Sequence, residues 1–80
     1  MPRYYLDTHD NDLLIPDEHG VVLSDDVAAY DEAARILGDM VKDVLPSSTR
    51  RVLYVEVWEE GNGPLLAVRL VLELVKMDEG

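Results

Sequence analysis

From Val27 to Leu45 the apolar residues recur every three or four positions, and on both sides of that stretch they recur every two. A period near 3.6 is that of a helix lying on a core, and a period of two is that of a strand with one buried face. The chain is therefore limited to one helix with strands before and after it. Ser24-Asp25-Asp26 marks the helix start, because a short polar side chain accepts from the free backbone N–H groups and acids suit the positive end of the helix dipole. Val27, Tyr30, Ala33, Ala34, Leu37, Met40, Val41, Val44 and Leu45 form the predicted stripe, and Gly38 is expected to allow a close approach to the sheet. Pro46 stops the helix, and Ser47-Ser48-Thr49 reads as a loop.

Ahead of the helix, Arg3 to Asp7 alternates, with Tyr4 and Leu6 facing one way and Arg3, Tyr5 and Asp7 the other. Thr8 to Asp12 is a polar cluster of the turn kind. Leu13, Leu14 and Ile15 make a short extended run cut off by Pro16. Asp17-Glu18-His19-Gly20 is a second turn, with Gly20 free to take positive φ, and Val21 to Leu23 is another short extended piece. Behind the helix, Leu53, Val55 and Val57 point toward it, and Val52, Tyr54, Glu56 and Trp58 point away. Glu60-Gly61-Asn62-Gly63-Pro64 is a hairpin turn. In the last strand Leu66, Val68, Leu70, Leu72 and Leu74 are assigned to the core. Leu65, Ala67, Arg69, Val71, Glu73 and Val75 take the other side.

These elements predict a single α+β domain over residues 1–80, ordered β-β-α-β-β, with an antiparallel sheet and one helix packed on one face. A core this small supplies about 3–5 kcal/mol of net stability. There is no cysteine, which removes disulfides and thiolate metal sites as reinforcement and leaves self-association as a candidate. The net charge of −10 disfavours nucleic acid and anionic lipid as partners. Met1-Pro2-Arg3-Tyr4-Tyr5 has no apolar run of the signal-peptide kind, and Leu65 to Val75 is short and broken by Arg69 and Glu73, so the chain is expected in the cytoplasm.

The opening Met-Pro-Arg-Tyr-Tyr-Leu-Asp, Pro16-Asp17-Glu18-His19-Gly20 with Val21 and Leu23, Asp26-Val27-Ala28 and Glu32-Ala33, and the closing hairpin together carry a resemblance. In that order they resemble a bacterial family catalogued as domain of unknown function 6894, along nearly the whole chain. The resemblance implies a compact α+β domain and brings no catalytic residues with it. A fainter similarity is to antitoxins of the HicA–HicB kind, which also set a short sheet and an acidic-Gly turn before an Ala-rich helix. This chain lacks the DNA-binding segment that many of them carry, and their usual proline-rich turn motif.

Several chemistries can be weighed on the residues. Asp7, His9, Asp10, Asp12, Asp17, Glu18 and His19 crowd two turns and offer oxygen and imidazole ligands to a cation. Asp12 stands where a calcium loop needs glycine, so solvated turns are the plainer reading, and no cofactor or metal is assigned. His9 or His19 as an acid–base catalyst lacks a nucleophile, a phosphate loop and room for a pocket, so no enzyme is expected. Arg50-Arg51 with Tyr54 and Trp58 is too little for nucleic-acid binding in so acidic a chain.

The strongest signal is the sheet side away from the helix. Val52, Tyr54, Trp58, Ala67, Val71 and Val75 would gather there, interrupted by Glu56, Arg69 and Glu73. An open sheet face is ordinarily polar, and an apolar one with aromatic residues marks an interface. The expected function is a non-catalytic interaction module that self-associates or binds a protein partner through that face. The alternative is an acidic, antitoxin-like regulator of a basic partner, and a more distant one is a small metal-dependent enzyme.

Overall fold

The computed structural model describes residues 1–43 and 50–78. In chain order these form β1 (Arg3–Asp10), β2 (Leu13–Ile15), β3 (Val21–Val22), α1 (Asp26–Lys42), β4 (Arg50–Glu59) and β5 (Gly63–Glu73). All strand pairs are antiparallel and the sheet order is β2-β1-β4-β5, with β3 also pairing β1. The architecture is the expected α+β sheet with one helix. The element order gains a strand, because the two short extended pieces before the helix are separate strands. They share one side of β1, β2 along Thr8–Asp10 and β3 along Arg3 and Tyr4.

β1 also runs three residues further than Asp7. Thr8, His9 and Asp10, read from the sequence as part of a turn, belong to the strand. Their polar character is overridden by two flanking strands that take up their backbone groups. The turn itself is Asn11-Asp12, with Asn11 at φ 54°. In the closing hairpin, Val57 pairs with Leu66 but Trp58 with Pro64, so Leu65 is an extra residue in a bulge.

The helix starts as the sequence implies. The Asp25 carboxylate caps it, accepting from the Ala28 N–H at 2.9 Å. The buried stripe, however, is rotated from the predicted one. Ala29 and Ala33 are fully buried, and Ile36, Leu37 and Met40 pack beside them, whereas Val27 and Tyr30 are 68% and 51% exposed. Ala34 also faces solvent. Small side chains let a helix backbone come close to a sheet, so the alanines decide which side is nearest. Gly38 does not serve that purpose; it is exposed, with open space where a Cβ would stand. The expected helix end at Val44 to Pro46 and the Ser47-Ser48-Thr49 loop lie outside the described residues.

The core is built from Tyr4, Leu6, Val55 and Val57 against Ala29 and Ala33, with Leu53 also fully buried. Leu66 and Val68 of β5 pack against it. Three residues assigned to the core are outside it: Leu70 is 37% exposed, Leu72 is half-buried away from the core cluster, and Leu74 is 67% exposed and lies past the end of β5. The cause is length. A helix of 17 residues spans about 25 Å, while an 11-residue strand spans about 37 Å, so β5 outruns its cover. Among the described residues no helix is long and apolar enough to cross a membrane.

Tyr4 ties the sheet to the helix start. Its ring is buried and its hydroxyl donates to Asp26 Oδ1 at 2.9 Å. Burial first, and then the hydrogen bond and charge of Asp26, push its pKa up to about 12 from an ordinary 10.0. Ionisation of Tyr4 is therefore harder in the folded chain than in the unfolded one. The stability linked to it is fully present below pH 10 and is lost as the pH climbs toward 12. Tyr4→Phe should flatten that part of the alkaline limb in urea unfolding followed against pH; an unchanged limb would show that Tyr4 does not carry it.

Candidate interaction surface

Alternation along the two long central strands sorts their side chains onto opposite faces. Leu53, Val55 and Val57 lie under the helix, and the intervening residues Val52, Tyr54, Glu56 and Trp58 lie on the other face. Antiparallel pairing of β1 with β4 then sets Tyr5 opposite Trp58, Asp7 opposite Glu56, and His9 opposite Tyr54. The His9 and Tyr54 rings stack, with centroids 3.9 Å apart and planes inclined by 8°. On the far side of β4, Val52 faces Val71, Tyr54 faces Arg69 and Glu56 faces Ala67.

Five of the six sequence-predicted interface residues thus sit together: Val52, Tyr54, Trp58, Ala67 and Val71. Trp58 and Val71 are 36% and 40% exposed, and Val52 and Tyr54 are half-buried by their neighbours. Val75 is placed elsewhere. It lies beyond the last residue of β5 and is 65% exposed, outside the sheet. The residues missed were Tyr5 and His9, with Leu14 of β2 beside His9. Their alternation extends along β1, but only the β1–β4 pairing makes that strand central and brings its aromatic side chains to Tyr54 and Trp58.

Polar groups on this face are mostly held by neighbours. Trp58 Nε1 donates to Glu56 Oε1 at 2.8 Å, which fixes the indole along β4. Asp7 Oδ1 accepts from the Asp17 N–H at 2.8 Å. Arg50 and Glu73 form an ion pair at 3.3 Å. A shallow depression of about 410 Å³ lies beside Tyr54, Ala67 and Arg69.

The acidic turns resolve into separate structural duties. The Asp10 carboxylate binds the Arg51 guanidinium through two contacts of 2.6 and 3.0 Å, and that hydrogen bond holds it below the usual carboxylate range. Asp17 lies in the gap between β2 and β3, where β1 has no strand beside it. Its Oδ2 accepts from the Leu6 N–H at 3.1 Å, and its Oδ1 accepts from His19 and Gly20 at 3.2 and 3.0 Å. Burial would raise the Asp17 carboxyl, but the N–H donors of Gly20, Leu6 and His19 outweigh it and hold the pKa low. His19 is exposed in the turn, and its carbonyl accepts from Arg3 at 2.8 Å. Among the described residues no three His, Asp or Glu side chains are grouped to hold a metal ion.

Comparison with known proteins adds one match. The family model described as Domain of unknown function (DUF6894) fits residues 3–71. That range takes in β1 through most of β5, including the Asp17 turn and the open face. No curated protein and no solved structure matches the chain.

Proposed function

We propose that this chain, which belongs to the DUF6894 family, is a cytoplasmic, non-catalytic interaction module that docks onto a protein surface through its open sheet face. One observation carries the reading: Tyr5, Tyr54 and Trp58 share that face with Val52, Ala67 and Val71, and the helix lies on the opposite side. Rigid aromatic side chains with few rotatable bonds lose little entropy on binding and are enriched where interfaces are strongest. The Trp58–Glu56 hydrogen bond and the His9–Tyr54 stack hold two of the rings in place before any partner arrives.

The two rival readings find less support. A basic partner would draw on the helix carboxylates, yet Glu32 and Asp39 already bind Arg35 at 2.8 and 3.2 Å, and Asp39 also meets Lys42. A metal-dependent enzyme would draw on Asp10 and Asp17, whose oxygens are engaged by Arg51 and by backbone N–H groups.

A photo-crosslinking residue placed at Ala67, compared in cells with one at Asp31 on the exposed side of the helix, tests the surface directly. Discrete adducts should form from position 67 and vanish when Trp58→Lys is added. Adducts at twice the chain mass that vanish with Trp58→Lys would identify face-to-face self-association, those that persist would come from contact along the β5 edge, and other masses would identify a different partner. Equal, featureless labelling from both positions would end the proposal.

A further inference from the structure

β5 is at the edge of the sheet, is 11 residues long, and has no partner on its outer side among the described residues. Long bare edges invite pairing, and proteins usually blunt them with proline, a bulge or charge. Here Pro64 and the bulge at Leu65 guard only the first turn of the strand. Beyond them the edge carries only Arg69 and Glu73 as charges, and its outer side is unpaired among the described residues.

The backbone groups on that edge can be assigned. The Asn11 N–H donates to the Val52 carbonyl, and the Val52 N–H donates to Asn11 Oδ1, both at 2.8 Å, so Val52 turns its backbone toward β1. Alternation then makes Arg51, Leu53, Val55 and Val57 the residues that bond to β5, through Leu72, Leu70, Val68 and Leu66. Ala67, Arg69, Val71 and Glu73 therefore direct their N–H and C=O groups outward.

We propose that two copies of this chain join antiparallel along these outer edges, in a two-fold register centred on Val71, merging the two sheets into one. In that register Val71 meets Val71, and Arg69 of each copy meets Glu73 of the other, so the pair forms twice. Leu70 meets Leu72, Val68 meets Leu74, Ala67 meets Val75, Leu65 meets Met77, and Leu66 meets Lys76. Neighbouring symmetric registers do worse. Centring on Arg69 or Glu73 sets like charges against each other, and centring on Leu70 or Leu72 loses both Arg69–Glu73 pairs, setting Glu73 against Ala67 or Val71.

Two further observations point the same way. Arg69 has no ion-pair partner among the described residues, in a chain with seventeen acidic and seven basic residues, and Glu73, which meets Arg50 at 3.3 Å through one oxygen, would be shared between the two. Leu74, Val75 and Met77 are 67%, 65% and 82% exposed, and no described residue of β4, which begins at the residue paired with Glu73, pairs with them. The second copy's β5 can. Residues 63–77 carry two basic side chains and one acidic, so two strongly acidic molecules can approach here with little repulsion. This dimer does not depend on the open face being an interface; it would place two such faces side by side.

Sedimentation of the full chain tests it. The wild type should be dimeric. Arg69→Glu and Glu73→Arg should each weaken the dimer by about tenfold or more, since each reverses two cross-strand pairs. Mixed together, the two variants should pair with each other, because both contacts between positions 69 and 73 across the edge are then between opposite charges. Amide exchange in the wild type should be slow at Arg69, Val71 and Glu73. A wild type that stays monomeric at its highest soluble concentration overturns the proposal, as does a failure of the mixed variants to pair. Trp58→Lys should leave the dimer intact; if it separates the copies, the contact is through the open face and not the edge.

Discussion

Asp17→Ala is expected to cost about 3 kcal/mol of folding stability, more than any exposed carboxylate in this chain. Asp17 is only half-buried, but three backbone N–H groups end on it. One of them, from Leu6, belongs to a buried residue of the central sheet and has no strand opposite it. Removing the carboxylate strands that donor and releases the turn that aligns β2 and β3. Asp17→Asn is a sharper probe. Its oxygen can keep the His19 and Gly20 contacts, but its amide must then face the Leu6 N–H, donor against donor. It should recover roughly half of the loss. The pH dependence has a definite sign. The folded carboxyl titrates below its unfolded value, so its contribution is present above about pH 4 and disappears as the pH falls through the folded pKa. Both variants should flatten the acid limb of urea unfolding. Stability within a few tenths of a kcal/mol of wild type for Asp17→Ala would show that the turn does not depend on the carboxylate.

Gly20→Ala should destabilise by about 2–3 kcal/mol, from two sources. Gly20 has φ +71°, a region costly to any residue with a Cβ. A Cβ there would also stand 2.9 Å from the Tyr4 carbonyl oxygen and 2.9 Å from Tyr5 Cε1. The Tyr5 ring can rotate away. The Tyr4 carbonyl cannot, because Tyr4 pairs with Val21 and its side chain is anchored in the core. Gly61 makes the control, with φ +84° and open space around the same Cβ. Gly61→Ala should show only the conformational cost of about 1 kcal/mol. The difference between the two, read from denaturant midpoints, isolates the close approach of the turn to β1. Equal losses would mean that the contact relaxes freely.

These two residues lie in Asp17-Glu18-His19-Gly20, which the sequence marks as a turn and which is among the pieces that carry the family resemblance. Its acidic residues also offer cation ligands, though solvated turns are the plainer reading. Nothing local shows what Asp17 binds, because the Leu6 N–H that engages it is eleven residues away and becomes available only where β2 and β3 leave a gap. The helix shows the same division. Its existence and its Asp25 cap follow from neighbouring residues, yet its rotation does not, because Val27, Tyr30 and Ala34 compete with the residues that are buried. The choice of Ala29 and Ala33 as the contact came from the fit against Val55 and Val57.

The open face was partly legible for the same reason. Val52, Tyr54 and Trp58 alternate with Leu53, Val55 and Val57 along one strand, and that period is a property of the chain itself. So is the hairpin that joins β4 to β5. Which strand lies beside β4 is not such a property. Pairing β1 with β4 joins segments more than forty residues apart, and it alone sets Tyr5 against Trp58 and stacks His9 on Tyr54. It also leaves β5 at the edge, with Arg69 and Glu73 facing outward. Side-chain period is fixed by backbone geometry within a few residues, whereas strand order depends on which long-range pairing buries the most surface, and that is decided only when the whole chain folds.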